Sequence, residues 1–192
     1  MTIFKSAVAA LAGAMAAFIG TASTAHATEP FIAEIRAFAE HACPAHWLPT
    51  DGRLLQVADY PALDSVIQDR FGATSRRDFN LPKLTPPETA HGKAETQCIS
   101  AYGVSPLGRG YAGDEFIGET RLFATAHCPN NWLKTDGSFY AANRFVGLFA
   151  VLQHRYGGQG QHFGVPNNPE IIAAGGIPLS ECIAANGRWP FN

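Results

Sequence analysis

The chain has 192 residues, a formal net charge of −2 at neutral pH, 16% charged and 46% hydrophobic residues, and four cysteines. So small a charge gives no bulk attraction for nucleic acid or an anionic membrane. Its 19 glycines, 13 prolines and 11% aromatic content suit a turn-rich globular fold and exclude a disordered tail.

In chain order, residues 1–27 read as a signal peptide. Lys5 forms a short positive region, Ala7 to Ile19 a small apolar run, and Ala25-His26-Ala27 a small-residue cleavage site. The mature chain is expected to begin at Thr28 in a secreted or periplasmic location. No later stretch approaches the ~20 uninterrupted apolar residues of a membrane span, so no membrane insertion is expected after signal removal. About 165 residues remain, enough for one ordinary domain or two small ones.

A long internal repeat decides between these. "FIAEIRAFAEHACPAHWLPTDG" from Phe31 recurs as "FIGETRLFATAHCPNNWLKTDG" from Phe116. Further on, Arg70-Phe71-Gly72 matches Arg155-Tyr156-Gly157, "FNLP" at Phe79 matches "FGVP" at Phe163, and "CISAYGVSP" from Cys98 matches "CIAANGRWP" from Cys182. The copies run from about 31 to 106 and from about 116 to 190, joined by the Gly-rich "LGRGYAGDE". The boundaries drawn are therefore residues 28–108 for a first module and 109–192 for a second.

Each copy opens with an alternating segment, Phe31 to Phe38 in the first, which predicts a strand. Glu34 and Arg36, like Glu119 and Arg121, fall on one face of it and read as solvated pairs worth little energetically. His41, Cys43 and His46 resemble a metal-ligand cluster, but the second copy has Ala126 and Asn131 where the histidines stand, and His127 faces Ala42 in the first. There is no fourth ligand either, so neither a metal nor a cofactor is expected. Trp47 and Trp132 precede Thr-Asp-Gly turns, in which the aspartate bonds the backbone and the glycine takes positive φ. They read as buried anchors, with ligand contact, a stacking platform for a sugar, as the functional alternative.

Tyr60, Leu63, Val66, Ile67 and Phe71 follow a three- and four-residue spacing that predicts an amphipathic helix ending at Gly72. Phe145, Leu148, Phe149, Leu152 and Tyr156 repeat it, ending at Gly157. Phe79 to Pro82 and Phe163 to Pro166 read as short strands. The stretches from Thr85 to Gln97 and from Asn167 to Glu181 read as surface loops, which with the linker are the natural place for variable binding chemistry.

Four cysteines in an exported chain point to two disulfides. All three pairings respect the duplication. Cys43–Cys98 with Cys128–Cys182 is preferred because each bond then closes one module, at roughly 4 kcal/mol per loop in the chain-entropy model.

The order and spacing of these elements resemble the phage tail collar domain family, which includes tail-fibre proteins and the bacterial microcystin-dependent-protein group. The second copy carries the pattern as Phe123-Ala124, Pro129, Trp132, Asp136-Gly137, Leu148-Phe149, Tyr156-Gly157-Gly158 and Phe163-Gly164-Val165-Pro166, and the first is looser, with Phe71-Gly72-Ala73. The resemblance implies an α+β fold of two tandem collar-like modules, each a short-stranded sheet with one amphipathic helix and long loops, stabilised by disulfides. It also implies a structural or adhesive role for an exported protein, presenting loops to a protein partner or surface glycan, with a homo-oligomer as one form of partnership. No nucleophile elbow, HExxH, phosphate loop or dinucleotide fingerprint occurs. Asp51, Asp78, His154 and His162 are scattered polar groups, and catalytic use of them is not expected. The competing readings are a secreted or periplasmic hydrolase with its site between the modules, and a periplasmic binding protein with a closed apolar pocket.

Overall fold

The structure, a computed structural model, describes residues 29–86, 95–108 and 115–191. The segment expected to be a signal peptide, the middle of the first polar loop and the centre of the linker lie outside these residues.

The fold is α+β, and the duplication is visible element by element. The first copy contributes β1 (Glu34–Phe38), β2 (Trp47–Pro49), β3 (Leu54–Gln56), α1 (Pro61–Ile67), β4 (Asp78–Asn80) and β5 (Thr96–Ser100). The second contributes β6 (Thr120–Phe123), β7 (Trp132–Lys134), β8 (Phe139–Ala141), α2 (Val146–Leu152), β9 (His162–Gly164), β10 (Ile172–Ala173), β11 (Ile177–Pro178) and β12 (Ser180–Ala184). One antiparallel sheet runs through both in the order β2-β5-β1-β6-β12-β7, so β1 and β6 meet at its centre and each copy supplies three strands. Two-stranded ribbons β3-β4 and β8-β9 flank it, one per module.

Strand alternation gives this sheet two different faces. On the back face Ile35, Ile99 and Leu122 pack with Leu63 and Ile67 of α1, while Ile183 and Leu133 pack with Leu148 and Leu152 of α2. Each helix buries residues four apart, one above the other. Phe79 and Phe163, at the centres of the two ribbons, are fully buried beneath them. The front face carries Phe123, Trp132, Cys182 and Ala184.

Two expectations for local structure need correction. The opening strand begins at Glu34, because Ala33 has φ +66° and interrupts the extended backbone; Gly118 takes the equivalent turn at φ +87°. The helices stop before the glycines. They are capped at Gln68 and Gln153, both with φ +49°, whose amides bond back to Asp64 and Phe149. Gly72 and Gly157 instead belong to the following turns, where their carbonyls accept from the amides of Asn80 and Gly164. The Thr-Asp-Gly turns are as expected: Asp51 Oδ1 accepts from the Arg53 amide and Asp136 Oδ1 from the Ser138 amide, both at 3.1 Å. Gly52 and Gly137 have φ +81° and +76°, and a Cβ there would press on Lys83 or Asn167.

The modules are joined by more than the sheet. The Ala124 amide donates to the Ala33 carbonyl at 2.9 Å, next to the Glu34↔Phe123 and Ile35↔Leu122 pairs. The β10-β11 hairpin, in a stretch expected to be a free surface loop, lies across the first module. The Ala174 amide donates to the Lys83 carbonyl at 2.9 Å, Arg70 donates to the Pro178 carbonyl, and Ala173 and Leu179 enter the first module's core.

The disulfides are Cys43–Cys98 and Cys128–Cys182, each with Cα atoms 5.8 Å apart. They tie β5 and β12 to the loops after β1 and β6. Each closes one copy, over 55 and 54 residues. Replacing either pair by serines is expected to lower unfolding free energy by about 4 kcal/mol, measured by urea denaturation; a loss below about 1 kcal/mol would show that the sheet holds without the covalent closure.

Candidate interaction surface

Glu34 organises the front face of the sheet. Although β1 places it on an alternating strand, its side chain is fully buried. Its carboxylate accepts from the Phe31 amide at 3.1 Å, from Arg36 Nε, and from Arg121 of the other module at 3.4 Å. The expectation of a solvated pair is corrected for this residue: burying a carboxylate is tolerable only when its acceptor sites are filled, and here they are. Its repeat counterpart, Glu119, retains 30% exposure and pairs with Arg121 at 2.6 Å. Burial works against charge on Arg121, but the hydrogen bond to Glu119 and the charges of Glu34 and Glu119 outweigh it and raise its pKa above the ordinary arginine value.

The two tryptophans part company on the same face. Trp132 is buried, edge to face with Phe123 at 5.7 Å and Phe31 at 6.1 Å, and Arg121 lies over it at 5.3 Å. It is therefore a core anchor and unavailable as a stacking platform. Trp47 keeps the same internal neighbours, with Phe38 at 5.5 Å and Arg36 at 5.3 Å, but is only half-buried. It lines an open groove of about 570 Å³ with Pro30, His46 and Tyr102.

The polar candidates do not converge. The sulfur of Cys43 is held in its disulfide and so is no thiolate ligand. His46 takes φ +69°, matched by Asn131 at +67°, so the position serves a left-handed backbone turn. Asp51 is held by Arg53. His154 follows α2 instead of lying on it, exposed with its ring edge-on to Phe149 at 5.5 Å. His162 is exposed in β9. Among the described residues no group of three or more His, Cys, Asp or Glu side chains is placed to hold a metal ion. The cleft where the modules meet, about 550 Å³, is lined by Leu84, Leu122, Ile172 and Ala173, and the titratable side chain among its described lining is Lys83.

Asp78 has a structural task. Its carboxylate accepts from the hydroxyl and amide of both Ser75 and Thr74, at 2.6–2.9 Å. Those hydroxyls, Ser75 first, hold its pKa far below the ordinary carboxylate range.

Phe31 and Tyr102 are the front-face residues that sequence reasoning did not single out, and Glu34 is the one it read as solvated. The available signal was the shared Phe-Ile-x-Glu at the head of both copies. It could not say which copy is buried, because both have it.

The phage tail collar domain model matches residues 33–86 and 118–170, more than half of the chain. Both matched spans end before β5 and β12, so the strands carrying Cys98 and Cys182 stand outside them. No curated protein and no solved structure matches the chain.

Glu34→Ala is expected to cost about 2–3 kcal/mol because it leaves the buried Phe31 amide without its acceptor, although Arg121 keeps Glu119, whereas Glu119→Ala, at a residue with 30% exposure, should cost about 1 kcal/mol or less; equal losses in urea titrations would refute the distinction. Because the folded-state pKa of Asp78 is depressed, its contribution is present above about pH 4 and is lost as pH falls. Melting curves taken into acid should show Asp78→Asn less stable at neutral pH and less acid-sensitive than the wild type; parallel acid limbs would show that the carboxylate is not the group responsible.

Proposed function

The chain belongs to the phage tail collar domain family, whose domains are structural, and from that premise we propose that it is an exported, non-catalytic structural and adhesion protein. Within the family this reading groups it with the bacterial microcystin-dependent-protein relatives and not with virion parts. It works by holding loops and one aromatic face toward a protein or glycan partner outside the cytoplasm.

The observation that carries the reading is the fusion of two modules through one continuous sheet, each closed by its own disulfide. Such a body is held by its own sheet and covalent closures. The disulfides suit an oxidising compartment, and the preceding signal sequence supplies the route to one. The open groove at Trp47 provides aromatic and cationic contact area at low side-chain entropy, as recognition surfaces commonly do. A hydrolase site between the modules draws no support from a junction cleft whose described lining offers Lys83 as its titratable side chain.

Fractionation of expressing cells, with intact-mass measurement before and after reduction, tests the proposal. The expected product begins at Thr28, carries two disulfides and lies outside the cytoplasm. A cytoplasmic product with free thiols and residues 1–27 retained would overturn it.

A further inference from the structure

We propose that the Trp47 groove is the docking site for the Phe116 turn of a second copy of this chain. The inference rests on the reading above of a non-catalytic assembly and binding protein, and it names the partner and the residues.

The molecule contains its own template for the contact. In the filled half of the front face, Phe31 packs against both Phe123 and Trp132, with ring centroids at 5.8 and 6.1 Å. In the open half the receiving rings stand ready: Phe38 and Trp47 are 5.5 Å apart at 73°, against 5.7 Å and 76° for Phe123 and Trp132. The arginine over each tryptophan is at 5.3 Å in both. Among the described residues no third ring contacts this Phe38–Trp47 pair, and the groove of about 570 Å³, edged by His46 and Tyr102, is where it would sit.

The inserting element also exists twice. Phe31 leads a turn in which its amide donates to Glu34, Ile32 donates to the Val104 carbonyl and Val104 donates to the Pro30 carbonyl. Phe116 leads the same turn: its amide donates to Glu119 at 3.0 Å, Ile117 donates to the Arg188 carbonyl, and Arg188 donates to the Glu115 carbonyl. Phe31 is 1% exposed and Phe116 is 41% exposed. One insertion is thus made within the chain, and one inserting phenylalanine and one receiving groove remain.

The surroundings are complementary. Pro190 and Phe191 lie beside Phe116 and extend its apolar surface. Arg188 stacks on the Phe116 ring at 4.9 Å, where Phe31 has the apolar Val104, and Glu29 lines the receiving groove. An arriving Phe116 therefore brings a cation to a groove edged by a carboxylate, and burying exposed aromatic surface supplies the driving force. Since each copy carries both halves, reciprocal exchange closes a twofold dimer and one-way addition gives a longer chain of copies.

Sedimentation velocity on the purified, oxidised chain from Thr28 onward, which contains every residue described above, tests this across micromolar to millimolar concentrations. The wild type should associate, less strongly at high salt. Trp47→Ala and Phe116→Ala should each abolish association while keeping a cooperative melt. An equimolar mixture of the two should recover a mixed dimer, because one retains the phenylalanine and the other the groove. Arg188→Glu should weaken association, with Glu29→Lys restoring it. A wild type that stays monomeric throughout, or an oligomer indifferent to both single substitutions, would overturn the proposal. Either result leaves export and disulfide formation, the test of the broader reading, unaffected.

Discussion

The buried carboxylate of Glu34 ties together the two halves of this protein where they meet. A charged group with no exposed surface needs partners that reach it from a fixed geometry, because its desolvation is offset only by close hydrogen bonds. Its partners are the Phe31 amide, the arginine of its own strand and an arginine of the other module. Satisfying all three fixes the turn that carries Phe31, the β1-β6 register and the approach of Arg121 to Trp132. The aromatic cluster around Phe31 packs on the same face of the sheet.

That arrangement explains why two copies of one sequence pattern adopt unequal environments. In an antiparallel pair related by an exact twofold, each copy's opening phenylalanine would cover the other's tryptophan. Here the ladder pairs Glu34 with Phe123 and Ile35 with Leu122, so contact is concentrated where β1 begins and β6 ends. Phe31 is drawn in, whereas Phe116 remains at the surface under Arg188. The hairpin of β10 and β11 adds to the asymmetry by placing Ala173 and Leu179 in the first module's core.

The consequence for function is that the back and front of the sheet do different work. The back is ordinary core, with aliphatic side chains under two short helices. The front combines the buried ion network, both disulfides and the aromatic rings, one half sealed and the other open. The Trp47 groove is the open half, and its chemistry follows from what the sealed half already accommodates.

The duplication, the helix faces, the Thr-Asp-Gly turns and the choice of disulfides closing each copy were legible in the sequence. Each depends on local spacing or on the requirement that a repeated unit be self-contained. The early stop of the helices was less so, because glutamines at φ +49° are accepted only when the following turn enforces them. Burial of Glu34 and the different fates of Trp47 and Trp132 were not legible, since the two copies offer nearly identical residues at those positions. What the sequence determined by itself is the pair of modules and their internal bonds. Which face of each module is covered was decided only when the two packed together, because a charge or an aromatic ring becomes core or surface according to what the rest of the chain brings against it.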